Sequence, residues 1–252
     1  MNRNDRQNQI LDLIQREKCS SVKELCAAVY ASPATIRRDL HAMEEEGLIR
    51  LLYGNIIPLT EKPTELPLAF RENQAKESKR MIAKYAAEMI APNSTVLLDA
   101  SSSATYMADY IHPDRGITIF TNCIKSAVKL CENGVTVYLI GGKINYRNLV
   151  TSGTWTDESI QSILVDYFFF SSHSLGTDGM ISGPSESGTQ MRKQMLKRAK
   201  QQYFLCNGEK VGTASTFTLA HVGEITGVIS DADLSFLPNI HCIQVKNAHS
   251  PL

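Results

Sequence analysis

The chain carries no surplus of either charge: 26 Lys and Arg stand against 26 Asp and Glu in 252 residues. A neutral protein is not a non-specific nucleic-acid coat, so any grip on a polyanion must come from a local patch, helped by oligomerisation. It has no secretory h-region and no apolar run of transmembrane length, which argues against a membrane protein and for the cytoplasm. The six cysteines (Cys19, Cys26, Cys123, Cys131, Cys206 and Cys242) include no CxxC pair and read as reduced residues of a cytosolic protein. The histidines lack ligand spacing, so neither a metal nor a cofactor is expected. What the chain does have is length and 43% hydrophobic residues, enough for one small and one medium domain with proper cores.

Residues 32–50, SPATIRRDLHAMEEEGLIR, are the most informative stretch. Ser32 is a good N-cap and Pro33 suits the first helical position, where its missing N–H would be an orphan anyway. Ile36, Leu40 and Met43 recur at helical spacing and make one apolar stripe. Off that stripe lie Thr35, Arg37, Arg38 and His41, all able to donate hydrogen bonds to phosphates or base edges. Glu44, Glu45 and Glu46 should point away from phosphate, and Gly47 closes the helix. Upstream, Ser21 and Glu24 form a capping box, and Val22, Leu25, Cys26 and Val29 give a second helix its inward face. A tight turn joins the two, as a helix-turn-helix over residues 20–41 requires. Ile10, Leu13 and Ile14 mark a supporting third helix. Runs 48–52 and 56–59 flank Gly54-Asn55, a hairpin signal, and make a wing over residues 48–58. Arg50 and Tyr53 on that wing are placed to touch the DNA backbone. Paired arginines on a helix are often a mere solvated face. Cap, stripe, arginine pair, glycine stop and hairpin in this order turn the reading to DNA.

At this point the chain resembles the DeoR family of bacterial transcriptional regulators. The matching motifs are TIRRDL at residues 35–40, EEEGLIR at 44–50 and the wing GN at 54–55. The family usually carries a second basic residue after the position of Arg50, where this chain has Leu51. The resemblance covers residues 6–57 and implies a winged helix-turn-helix domain over residues 1–58.

Residues 59–69 follow a proline-rich change of character and read as a linker. From Arg71 a long amphipathic helix is expected, with Met81, Ile82, Tyr85, Ala86, Met89 and Ile90 on one face. Short apolar runs then fit buried strands at 95–98, 117–121, 135–140, 167–171, 203–206, 227–230 and 240–245. Helices fit between them, clearest at 123–131 and 188–202. This alternation predicts an α/β domain over residues 70–252, with a parallel sheet covered on both faces.

In such folds ligands gather at the carboxyl ends of the strands. Those ends here are small and polar: Asp99, Ser101, Ser102 and Ser103, then Asn122, then Gly141 and Gly142, then Gly176, and last Lys210. Loops contain such residues anyway, but their recurrence at strand end after strand end points to a small anionic ligand. The stretch from about Phe70 onward also resembles the DeoR-type sensor domain, whose Rossmann-like fold is related to ribose-5-phosphate isomerase and glucosamine-6-phosphate deaminase. The resemblance implies a homo-oligomer, dimer or tetramer, that represses a carbohydrate-metabolism operon. A phosphorylated sugar or related metabolite would release it from double-stranded operator DNA. The family's Asp-x-Gly-Thr-Thr loop reads Asp99-Ala100-Ser101-Ser102-Ser103 here, and its Asp-x-x-Lys motif reads Asn207-Gly208-Glu209-Lys210. Two alternatives stay open. One is an isomerase or deaminase using Asp99, Asp178 or Glu209 as general base. The other is a DNA-binding protein with a degenerate sensor.

Overall fold

The computed structural model describes residues 3–16, 21–45, 48–52, 55–58, 68–146, 148–237 and 240–246. The chain divides into two units, Met1–Gln74 and Ala75–Leu252.

The first unit contains helices α1 (Arg3–Arg16), α2 (Val22–Val29), α3 (Pro33–Glu45) and α4 (Leu68–Asn73), with an antiparallel hairpin of Ile49–Leu52 and Asn55–Pro58. The capping box at Ser21 and Glu24 is formed in both directions. Ser32 caps α3, its hydroxyl accepting the Thr35 N–H at 3.2 Å. The apolar stripes converge as their spacing demands: Ile10, Ile14, Leu25, Ile36, Leu40, Met43, Ile49 and Ile56 share one core. In the hairpin Leu52 pairs with Asn55, so Asn55 is the first residue of the second strand rather than half of a Gly54-Asn55 turn. Gly47, Tyr53, Gly54 and the linker residues 59–67 lie outside the described residues. The division at 74/75 falls after the expected start at Phe70, and the reason is burial. Phe70 is 4% exposed and belongs to the core of the first unit.

The helix expected to run on from Arg71 is therefore two helices. Ala75, left-handed at φ 47°, begins α5 (Lys76–Glu88). Its buried face is Ile82, Ala83, Ala86 and Ala87, while Tyr85 turns outward. Seven strands of the second unit form one parallel sheet: β1 (Thr95–Leu98), β2 (Thr118–Thr121), β3 (Thr136–Leu139), β4 (Val165–Phe170), β5 (Ala199–Cys206), β6 (Gly227–Ser230) and β7 (Cys242–Gln244). Their order across the sheet is β7-β6-β5-β4-β1-β2-β3. The chain thus winds outward from β1 to β3, returns, and winds the other way from β4. Between β1 and β4 lies the switch point where open α/β sheets place their ligands.

The helices of this unit are α6 (Ser102–Met107), α7 (Ile124–Glu132), α8 (Thr154–Gln161) and α9 (Glu186–Leu196). Strand β4, VDYFFF, shows why both faces must be covered. Phe169 enters one core with Ile82, Val96 and Leu205, whereas Phe168 and Phe170 enter the other with Leu97 and Phe204. Successive strand residues point to opposite faces, and here both are apolar. Residues 188–202 were expected to be helical throughout. The structure ends α9 at Leu196 and starts β5 at Ala199, because residues 203–206 need a parallel partner in β4 and β6. Two smaller sheets decorate the rim. One is a hairpin of Lys143–Asn145 and Val150–Ser152; the other joins Ser174–Leu175, Met180–Gly183 and Phe217–His221.

Candidate functional site

In the first unit α3 presents Arg37 and His41 one turn apart, with Arg38 beside them, all exposed. Thr35 is half-buried, its hydroxyl 2.9 Å from that of Ser32. His41 Nδ1 lies 4.0 Å from Glu44. The other oxygen of Glu44, Oε1, accepts the Leu51 N–H at 2.7 Å, tying helix to wing. Leu51, which stands where a basic residue was expected, packs against the core. Arg50 lies in the first wing strand, opposite Ile57. Its side chain and all of Tyr53 are outside the described residues.

One feature of α3 was not anticipated. Asp39 is 1% exposed, and the Arg6 guanidinium of α1 donates to both its oxygens, at 2.5 and 3.3 Å. This carboxylate, hydrogen-bonded to Arg6, raises the arginine's pKa above its ordinary value. Asp39 follows Ile36 by three and precedes Met43 by four, so it sits on the apolar stripe. A charge at such a position demands a buried partner, and that was the available signal.

In the second unit several candidates meet at the carboxyl end of the sheet. Asp99, 2% exposed, follows β1. Its Oδ1 accepts the Ser101 N–H at 3.0 Å, and its Oδ2 accepts the Ser171 N–H at 3.4 Å and Arg192 Nε at 2.8 Å. Ser171, after β4, takes a hydrogen bond from Lys210 Nζ on its hydroxyl. Asn122, after β2, donates Nδ2 to the Thr151 carbonyl at 3.2 Å and lies 3.1 Å from the sulfur of Met191, the neighbour of Arg192. Contacts thus run unbroken from Asn122 through α9 and Asp99 to Lys210. Ser101 caps α6 by accepting the Ala104 N–H at 3.1 Å, and Ser102 is buried in the same turn.

Three polar atoms in this group have no partner among the described residues: Ser103 Oγ, Asn122 Oδ1 and Asn207 Oδ1. The residues are 0, 3 and 2% exposed and follow β1, β2 and β5. A buried acceptor or donor left unmade costs about 1–3 kcal/mol, so three at one rim point to a ligand that satisfies them. Arg192 and Lys210 both reach this rim, Arg192 on Asp99 and Lys210 on the Ser171 hydroxyl, and guanidinium and ammonium groups are the usual donors to an anion.

The glycines have structural neighbours of their own. The Gly176 N–H donates to the Met180 carbonyl at 2.9 Å within a turn that Asp178 Oδ1 also holds, through Met180 N–H at 3.0 Å. At Gly142 the backbone conformation (φ +146°) already strains a side chain, and a Cβ would lie 2.0 Å from the Thr156 hydroxyl and 2.9 Å from the Ser152 carbonyl oxygen. That hydroxyl donates to the Gly141 carbonyl at 2.7 Å. Arg192 and Asn207 were not among the candidates. Arg192 falls on the α9 face between buried Thr189 and Met195, which is where a cation needs an internal partner. No group of three His, Cys, Asp or Glu suited to a metal ion is found among the described residues.

Comparison with known proteins places both units. A DeoR-like helix-turn-helix domain model matches residues 6–61, and a DeoR C terminal sensor domain model matches residues 74–232. The HTH-type transcriptional repressor GlcR of Bacillus subtilis is 29% identical over 232 residues, 91% of this chain and 87% of that protein. The L-fucose operon activator of Haemophilus influenzae is 26% identical over 232 residues, 92% and 93% of the two chains. Among solved structures, a D-ribose-5-phosphate isomerase in complex with phospho-erythronic acid aligns over 54% of each chain, with 13% identity and a TM-score of 0.41.

Proposed function

The chain belongs to the DeoR family of transcriptional regulators, and from that premise we propose that it represses a carbohydrate-metabolism operon and is released by a phosphorylated sugar or sugar-derived metabolite. The observation that carries the effector reading is the group of three unpartnered buried atoms, Ser103 Oγ, Asn122 Oδ1 and Asn207 Oδ1, beside Arg192 and Lys210. Cations suit a phosphate, and hydroxyl and amide groups suit the hydroxyls of a sugar. Relatives named as repressors, GlcR of Bacillus subtilis and AccR of Agrobacterium fabrum, support the negative sign.

Two of the three carboxylates considered for catalysis, Asp99 and Asp178, are used otherwise. Asp99 accepts from two backbone N–H groups and an arginine, and Asp178 closes its own turn. The relatives are regulators by name, and the site reads as a sensor rather than an isomerase or deaminase. No helix among the described residues is long and apolar enough to cross a membrane, in keeping with a protein that meets operator DNA in the cytoplasm.

At the DNA end, Arg37, Arg38, Thr35 and His41 enter the major groove, and Arg50 and Tyr53 hold the backbone. Arg38→Ala is expected to cost about 1–3 kcal/mol in operator affinity if Arg38 reads a base. Gel-shift titrations against operator and scrambled DNA check this. An equal loss on both DNAs makes Arg38 a phosphate contact, and no loss on either removes α3 as the reading helix.

The effector is tested by a thermal-shift screen against sugar phosphates, with free sugars as controls. A ligand at a hundred times its dissociation constant stabilises the folded state by about 2.7 kcal/mol. Stabilisation confined to one phosphorylated compound names the effector. No response from any of them overturns the sugar-phosphate reading.

A further inference from the structure

Strand β3 closes one edge of the sheet: it pairs with β2, and no described strand covers its other side. Parallel sheets are ordinarily buried on both faces. Here Tyr138 is 57% and Leu139 47% exposed, although adjacent residues point to opposite faces. The strand, TVYL, carries none of the charges or prolines that normally protect a sheet edge. Exposed apolar residues continue through the hairpin and helix that follow it: Ile144 at 56%, Tyr146 at 74%, Leu149 at 41% and Trp155 at 76%. They are close in space as well as in sequence. Ile144 pairs with Thr151 in the hairpin, and the Thr156 hydroxyl ties α8 back to Gly141 at the end of β3.

The size of this surface decides its meaning. With aromatic side chains covering 150–250 Å² each, Tyr138, Ile144, Tyr146, Leu149 and Trp155 together expose roughly 600 Å² of apolar surface, Leu139 being left out because it points to the opposite face. That reaches the upper end of what a soluble monomer leaves in water as one patch. It approaches the ~800 Å² per partner of a stable interface, before any polar rim is counted. We propose that this face, Tyr138 at the β3 edge with residues 143–146 and 149–155, is where a second copy of the chain docks about a twofold axis. An isologous contact lets one patch serve both partners, and a dimer supplies the paired heads that a two-half-site operator requires. Tyr138 is already held flat against Phe120, with ring centroids 4.8 Å apart, so it meets the partner as a rigid anchor.

Trp155 is the only tryptophan in the chain, which makes the test direct. Full-length protein is followed by sedimentation velocity and by tryptophan emission across a dilution series, with no DNA present. The expected wild type sediments as a dimer or an even-numbered assembly, with Trp155 emission shifted to the blue. Dilution and the Ile144→Lys substitution should each move the emission to that of a solvated indole. Ile144→Lys should also weaken the self-association at least tenfold while far-UV circular dichroism and the melting profile stay as in the wild type. A second variant, Tyr138→Lys, should do the same. A wild type that is monomeric at every concentration, with solvated emission, overturns the proposal and leaves the face to a different partner. So does an oligomer whose mass and emission are indifferent to both substitutions.

Discussion

Replacing Arg6 by alanine is expected to destabilise the first unit by about 3–5 kcal/mol, the range for breaking a buried ion pair at one partner. Asp39 would remain in the core with its carboxylate facing the place the guanidinium had filled. Both its oxygens are used by Arg6, and Arg3 lies 3.8 Å away on the outside, too exposed to replace it. A domain of this size holds only a small margin of stability, so the loss is a large share of the total. Operator binding should fall for every sequence alike, and the far-UV signal of the head should melt at a lower temperature. This separates Arg6 from Arg38, whose removal should leave melting untouched. Joint replacement of the pair, Arg6→Met with Asp39→Leu, should recover much of the stability, because a buried pair exchanged for packed apolar groups is often neutral. An Arg6→Ala protein that melts like the wild type would show that the pair contributes nothing to the fold.

The second large effect is expected at Arg192. Its side chain is 15% exposed and its partner Asp99 2%. Arg192→Ala should lower the stability of the second unit by about 3–5 kcal/mol and abolish the thermal response to the effector. These two losses have different causes, and a double variant separates them. Arg192→Met with Asp99→Asn removes both charges, so stability should return while the response to phosphate does not. Arg192→Lys should keep a charge but lose the fork that meets a carboxylate or phosphate at two points. Melting curves with and without the effector check all three. Full response in the double variant would remove Arg192 from the effector site.

The order of elements was readable because periodicity reports burial, and burial fixes elements. Ile36, Leu40 and Met43 were visible as a stripe and are 0, 1 and 0% exposed. Strands β1 and β6 were bounded to the residue; Pro92, Asn93 and Asp99 punctuate the first, and Asp231 closes the second. Errors came where one pattern ran into the next without such punctuation. Gln201 and Gln202 continue the polar rhythm of α9 and yet are paired to Tyr167 and Phe168 of β4. Phe70 looked like the start of the second unit because nothing in a short apolar run says which core will take it. At the effector rim the strand ends could be found, but not the partners. Arg192 lies 93 residues from Asp99, and only the fold brings them together. Gly142 and Gly176 read as ligand-binding glycines in sequence, and in the structure close neighbours crowd the place of a Cβ at both. Both roles demand the absence of a Cβ.

Each unit has an apolar core of its own, the first built from Ile10 through Phe70 and the second from Ile82 through Val245. A chain whose interior is divided this way does not meet the conditions for a single all-or-none transition. Its heat-capacity trace is expected to be a superposition of two peaks, and one midpoint read from a dye curve would describe neither. On the proposed reading, a phosphate ester held at the strand ends should raise the peak of the unit that binds it. Any movement of the head's peak in the same scan would then report coupling between ligand and head, recorded on the same molecules.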